Sequence, residues 1–127
     1  DIVEIDEHDR VRVVGRTADF VIRGGKNISI VEIEELVGEH PSVSEVAVVG
    51  VPDELFGERV CAVVVPVVGG ELDTGTLARW LRSRGVTTDY LPEYVVTVAR
   101  LDVGPGGKTD RRAAKATALE SLSRTAR

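Results

Sequence analysis

The residues with the clearest chemical potential are Gly107-Lys108-Thr109, a lysine set between small residues and preceded by Gly104-Pro105-Gly106. A phosphate-binding loop would need a further glycine separated from Gly107 by four residues, and Asp102 stands there, so the spacing fails. What remains is a compact cation on a long stem at the tip of a flexible loop, suited to delivery into another domain's site. An ordinary solvent-facing lysine fits the same residues, and spacing leaves the two open. Gly24-Gly25 poses a similar choice: the pair serves a tight turn, or lets the backbone run flat beside a narrow ligand. Two basic clusters, Arg79, Arg82, Arg84 and Arg111, Arg112, Lys115, have the charge to hold phosphates, although the first reads better as a solvated helix face.

Other chemistries find little support. His8 and His40 lie far apart without cysteine company, so no metal set can be assembled, and both are expected at the surface. Cys61 is a lone cysteine in the apolar run from Val60 to Val65, where it behaves as a small buried hydrophobe. The lack of a disulfide framework fits a reducing, cytoplasmic setting. Acidic residues outnumber basic ones, 21 to 16, giving a net charge of -5 that repels polyanions and argues against nucleic acid as a partner. No apolar run approaches the ~20 residues needed to cross a bilayer, so no membrane insertion is expected.

The elements that would position these residues follow from pattern. Alternation in Asp1 to Ile5 and Arg10 to Val14 around the polar Asp6 to Asp9 predicts a β-hairpin. Phe20-Val21-Ile22 is a brief strand leading into the glycine turn. Ser29 with Glu32 has capping-box spacing, which predicts a helix from Ile30 to Glu39 carrying Ile33, Leu36 and Val37. Two β-branched strands, Val43 to Val51 and Val60 to Val68, flank the loop from Pro52 to Glu58. Asp73 or Thr74 caps a second helix that buries Leu77, Trp80 and Leu81 and stops at Gly85, with Trp80 a core residue rather than a ligand-stacking one. Tyr94 to Val98 is a further strand, and Asp110 to Thr125 a terminal helix. The sum is an α+β domain: a terminal hairpin, then a central sheet of about three strands packed with helices.

The ordered set Gly15-Arg16-Thr17-Ala18-Asp19, Arg23 to Ile28, Glu32-Ile33-Glu34, His40-Pro41-Ser42-Val43, Gly50-Val51-Pro52-Asp53, Gly57-Glu58, Leu91-Pro92-Glu93 and Gly107-Lys108 closely resembles the C-terminal domain of the acyl-CoA synthetase and adenylate-forming (AMP-binding) enzyme superfamily. The resemblance covers essentially the whole chain. It implies residues 1–17 as the terminal hairpin of a large N-terminal domain with the approach to a hinge, and residues 18–127 as a mobile lid.

The resemblance also implies roles. Family members make an acyl-adenylate from a carboxylic acid and ATP with Mg2+, then swing this domain so that a thiol, commonly that of CoA, attacks it. Lys108 matches the lysine that contacts carboxylate and α-phosphate in the first step, where a fixed cation offsets developing charge. Gly24, Gly25 and Lys26 match the turn lining the pantetheine tunnel. Asp1 and Arg16 match nucleotide-binding positions, and Ala18 and Asp19 the hinge. No metal ligand and no cofactor falls to this domain alone, its partner being its own N-terminal domain. The implied activity is that of an AMP-forming carboxylic acid–CoA ligase, with the isolated fragment inactive. A domain that loads a carrier protein and a non-catalytic module of the same fold are the alternatives. Two departures stand out: Ala18 replaces the usual polar hinge residue, and Tyr90 runs straight into Leu91 where a basic residue is common, which weakens any CoA-phosphate contact there.

Overall fold

The computed structural model describes residues 2–5, 11–15, 20–55 and 57–125, with side chains from 20–55 and 57–123. Strands β1 (Ile2–Ile5) and β2 (Val11–Gly15) pair antiparallel as the expected hairpin. They form a two-stranded sheet of their own.

The remaining chain builds a five-stranded sheet from β3 (Phe20–Arg23), β4 (Lys26–Ser29), β5 (Val43–Asp53), β6 (Gly57–Pro66) and β7 (Tyr94–Thr97). Strand β6 is its axis. It pairs antiparallel with β5 along most of its length, and its other edge is shared between β7, parallel over Cys61–Val64, and β3, antiparallel at Arg23↔Gly57. The α+β class is as expected, but the sheet is larger than three strands. Strands β3, β5, β6 and β7 coincide with the four strands read from pattern, and the one not seen is Lys26-Asn27-Ile28-Ser29, whose one buried residue is Ile28, too little alternation to be seen as a strand.

Period-2 alternation buries both faces of β5 and β6. Val48, Val60, Ala62 and Val64 face one way, into a core with Ile33 and Val37 of helix α1 (Ile30–Gly38) and Leu77 and Leu81 of α2 (Thr74–Ser83). Ala47, Val49, Val51, Cys61 and Val63 face the other, against Val96 and against Ala114 and Ala118 of α3 (Arg111–Thr125). Each fully buried valine contributes about 1.5–3 kcal/mol of transfer free energy, so this doubly covered pair of strands dominates the stability.

The helix starts are set as the residue types dictate. Ser29 Oγ accepts from the Glu32 N–H at 3.3 Å, and Asp73 Oδ1 accepts from the Thr76 N–H at 2.7 Å. Trp80 packs against the α1–α2 core, in line with a structural role. His40 corrects the expectation of a surface histidine. It is buried, its ring meets Trp80 edge-on at 4.8 Å, and its Nδ1 accepts from the Ser42 N–H at 3.0 Å. His8 lies outside the described residues.

Candidate functional site

Lys108 sits in a closed loop between β7 and α3. The Asp110 N–H donates to the Asp102 carbonyl at 2.9 Å, the Gly104 N–H donates to the Lys108 carbonyl at 2.6 Å, and Val103 bridges Thr109. At the tip, Pro105–Gly107 make a 3-10 turn in which Gly106 and Gly107 both take φ of 78°. That left-handed backbone would cost roughly 1–2 kcal/mol per residue with a β-carbon present, which is the reason for glycine before the lysine. The loop base is pinned and the lysine is exposed.

Helix α3 holds the far side of this loop. Asp110 Oδ1 accepts from the Ala113 N–H at 3.1 Å and caps the helix. Arg111 then forks onto Glu34 of α1, with Nη2–Oε1 at 2.7 Å and Nε–Oε2 at 3.2 Å. Glu34 Oε2 also accepts from the Val48 N–H at 2.9 Å, so one carboxylate joins α1, β5 and α3. All three basic residues of the second cluster, Arg111, Arg112 and Lys115, border an open groove of about 440 Å3 with Ile22, Ile30 and Val49, and Arg111 is paired with Glu34 there.

The Gly24-Gly25 pair is the two-residue turn of the β3–β4 hairpin. Its φ angles of 57° and 82° are those of a type I′ turn, which only glycine and a few others enter without strain. A β-carbon added at either glycine would meet nothing within 4 Å, so the turn's outer side is open.

The flanks of the turn are tied down. Lys26 Nζ pairs with Asp89 Oδ2 at 3.0 Å, and Arg23 Nε with Glu93 Oε1 at 3.0 Å. Glu93 also takes Arg59 Nη1 at 3.0 Å, and Arg59 Nε reaches Asp53 Oδ1 at 2.7 Å. That Asp53 hydrogen bond, foremost, raises the Arg59 pKa further. Gly50 leaves room for Glu58, whose Oε1 accepts from the Ile22 N–H at 3.0 Å. Several positions that carry the family resemblance therefore hold the hairpin in place.

Lys108 and the glycine turn occupy separate loops, each with its own anchors. Asp1, Arg16, Ala18 and Asp19 lie outside the described residues. Among the described residues no group of three or more His, Cys, Asp or Glu could hold a metal ion, so no Mg2+ ligands are assigned. Among them too, no helix is long and apolar enough to cross a membrane. Glu34 and Glu93 are missed by sequence reasoning about sites, because their arginine partners lie far away in the chain, 77 residues for Glu34 and Arg111 and 34 for Glu93 and Arg59.

The fold and its two outward loops define a class: a small α+β domain that carries an exposed lysine on one loop and a glycine turn open on its outer side on another. The particular family follows from comparison. Residues 32–108 match the family model for the AMP-binding enzyme C-terminal domain, and the chain belongs to that family. It is 34% identical over 113 residues, 89% of this chain, to the salicyl-AMP ligase / salicyl-S-ArCP synthetase of Mycobacterium tuberculosis, covering 20% of it. It is 47% identical over 89 residues, 70% of this chain, to the indoleacetate–CoA ligase of Aromatoleum aromaticum, covering 17% of it. Among solved structures, ATP-bound MatB from Rhodopseudomonas palustris superposes with a TM-score of 0.73 at 35% identity, over 91% of this chain and 23% of that one. The chain thus spans about a fifth of the length of the curated relatives it matches.

Proposed function

We propose that this chain is the mobile C-terminal domain of an AMP-forming acid–CoA ligase, with residues 1–17 closing the large N-terminal domain and residues 18–127 forming the lid. The observation that carries the reading is Lys108, exposed on a loop pinned at its base and capped into α3. In the adenylation orientation its ammonium meets the acid carboxylate and the α-phosphate of ATP. Both reactants are anionic, and a preorganised cation between them offsets the repulsion that opposes attack. Asp1 and Arg16 border the nucleotide, and the chain pivots at Ala18 and Asp19. In the second orientation Gly24, Gly25 and Lys26 line the path of the thiol, whose sulfur attacks the acyl carbon and expels AMP.

A carrier-protein thiol is the second reading. It is favoured by the direct run of Tyr90 into Leu91, which leaves no basic residue in the segment from Asp89 to Glu93 to meet a CoA phosphate. It is also favoured by the resemblance to a salicyl-S-ArCP synthetase. The test uses the full-length enzyme with a panel of carboxylic acids. Acid-dependent pyrophosphate exchange followed by thioester formation on CoA supports the proposal, thioester on a carrier protein alone supports the second reading, and no exchange with any acid overturns both.

A further inference from the structure

The β3–β4 hairpin is joined to the rest of the sheet by little backbone pairing. Among the described residues its ladder contact with β6 is the single pair Arg23↔Gly57, in contrast to the ten paired positions between β5 and β6. The place of the Gly24-Gly25 turn is therefore set by side chains. Lys26–Asp89 is one tether, but its partners are 66% and 45% exposed, so solvent and salt weaken it. Glu58 holds the Ile22 N–H. Val21 and Ile28 anchor the base of the hairpin in the main core, and a further tether nearer the turn, at Glu93, is of a different kind. The Glu93 side chain is 15% exposed and Arg23 21%, and the carboxylate binds Arg23 of β3 through Oε1 and Arg59 of β6 through Oε2, each at 3.0 Å. The Val60 N–H also points to Oε1 at 3.4 Å. Arg59 in turn is braced by Asp53 at the end of β5.

We propose that Glu93 is a positioning residue for the thiol step: by gripping Arg23 and Arg59 together it fixes the glycine turn against β6 in the place from which it lines the thiol's path. The proposal rests on the reading of that turn given above. Glu93 touches neither reactant; it acts through Arg23, the residue next to Gly24. Its charge is what the site uses, because two guanidinium groups converge on it and a neutral amide cannot satisfy both. The Lys108 loop hangs from α1 and α3 by other contacts, so adenylation does not depend on Glu93.

The experiment compares Glu93→Gln, Arg23→Met and Gly25→Val in the full-length enzyme. Pyrophosphate exchange follows the first half-reaction, and supplied acyl-adenylate with the thiol acceptor follows the second. Misplacement of a positioning element by about 1 Å costs on the order of 10²-fold. Glu93→Gln and Arg23→Met are accordingly expected to slow thioester formation by about 10–100-fold, with exchange within about twofold of the parent. If Glu93→Gln fails to fold, Arg23→Met, which leaves the Arg59–Glu93 pair intact, carries the test. Selective slowing in Gly25→Val but in neither charge variant overturns the role of Glu93 alone. No selective effect in Gly25→Val overturns the reading of the turn, and equal losses in both half-reactions of the charge variants show a purely structural role and overturn the proposal.

Discussion

Lys108 and His40 are opposite kinds of residue, one exposed on a loop tip and one buried beside Trp80. Among the described residues no ion pair engages the Lys108 ammonium, so Lys108→Ala should alter domain stability by no more than ~0.5 kcal/mol. In the full-length enzyme the same change is expected to slow adenylation by about 10²–10³, the usual cost of one preorganised electrostatic group, and to leave attack on supplied adenylate nearly unchanged. Lys108→Arg should restore little, since a planar guanidinium is wider than the point charge it replaces. Pyrophosphate exchange against thioester formation decides this, and equal effects on both would remove Lys108 from its role. His40 yields a prediction about pH. Burial lowers its pKa from the ordinary value near 6.5, and its Nδ1 must stay unprotonated to accept from Ser42. The unfolded chain therefore binds the proton more readily than the fold does. The stability from neutral His40 is full above the unfolded pKa and is lost as pH falls from there through the lowered folded value. Denaturant unfolding between pH 7.5 and 5 should show a steeper decline for the parent than for His40→Gln, and parallel curves would refute it.

At the scale of elements, legibility in the sequence tracks whether an element is determined by its own residues. The Ser29–Glu32 spacing places α1 to within a residue, and Asp73 places the start of α2, because a cap is a local hydrogen bond between near neighbours. Strand β4 is not legible, since Lys26 and Asn27 owe their strand conformation to the I′ turn and to pairing with β3 rather than to their own preference. The same reason hides His40: its burial depends on Trp80, which arrives from another helix. Helix α3 is legible as a helix, while its anchor is not. Among its described side chains the two buried positions are alanines, Ala114 and Ala118, which bury little area, so the Arg111–Glu34 fork adds to a docking that otherwise rests on these and the partly buried Leu122. Glu34→Gln is expected to raise hydrogen exchange across α3 more than across α2, whose Leu77 and Leu81 hold it by apolar packing. Uniform acceleration in both helices would mean that Glu34 supports the whole fold rather than the docking of α3.

On the scale of the molecule, the fold carries its own core, and under the proposed function the candidate site is completed by the large N-terminal domain. Both faces of β5 and β6 are covered by helices of the same chain, and the two cores are filled from within it. The sequence makes the core readable through the β-branched alternation of two long strands. It makes the candidate site readable only through an ordered set of motifs, because Lys108 and the glycine turn lie on separate loops with separate anchors and no local pattern joins them. The purified 127-residue chain should therefore be folded yet make no acyl-adenylate or thioester. Cys61 separates that outcome from trivial inactivity. Its thiol is fully buried in the α3-side core, and burial pushes its pKa up to about 12, so almost no thiolate exists near neutral pH and no reagent reaches it. A thiol reagent at pH 7.5 should leave Cys61 unmodified in the native chain and label it fully in denaturant. Protection of Cys61 together with absent ligase activity is the expected result. Product formation by the protected chain would show that the chain holds a complete site, and rapid labelling without denaturant would show that the two-faced core does not hold on its own.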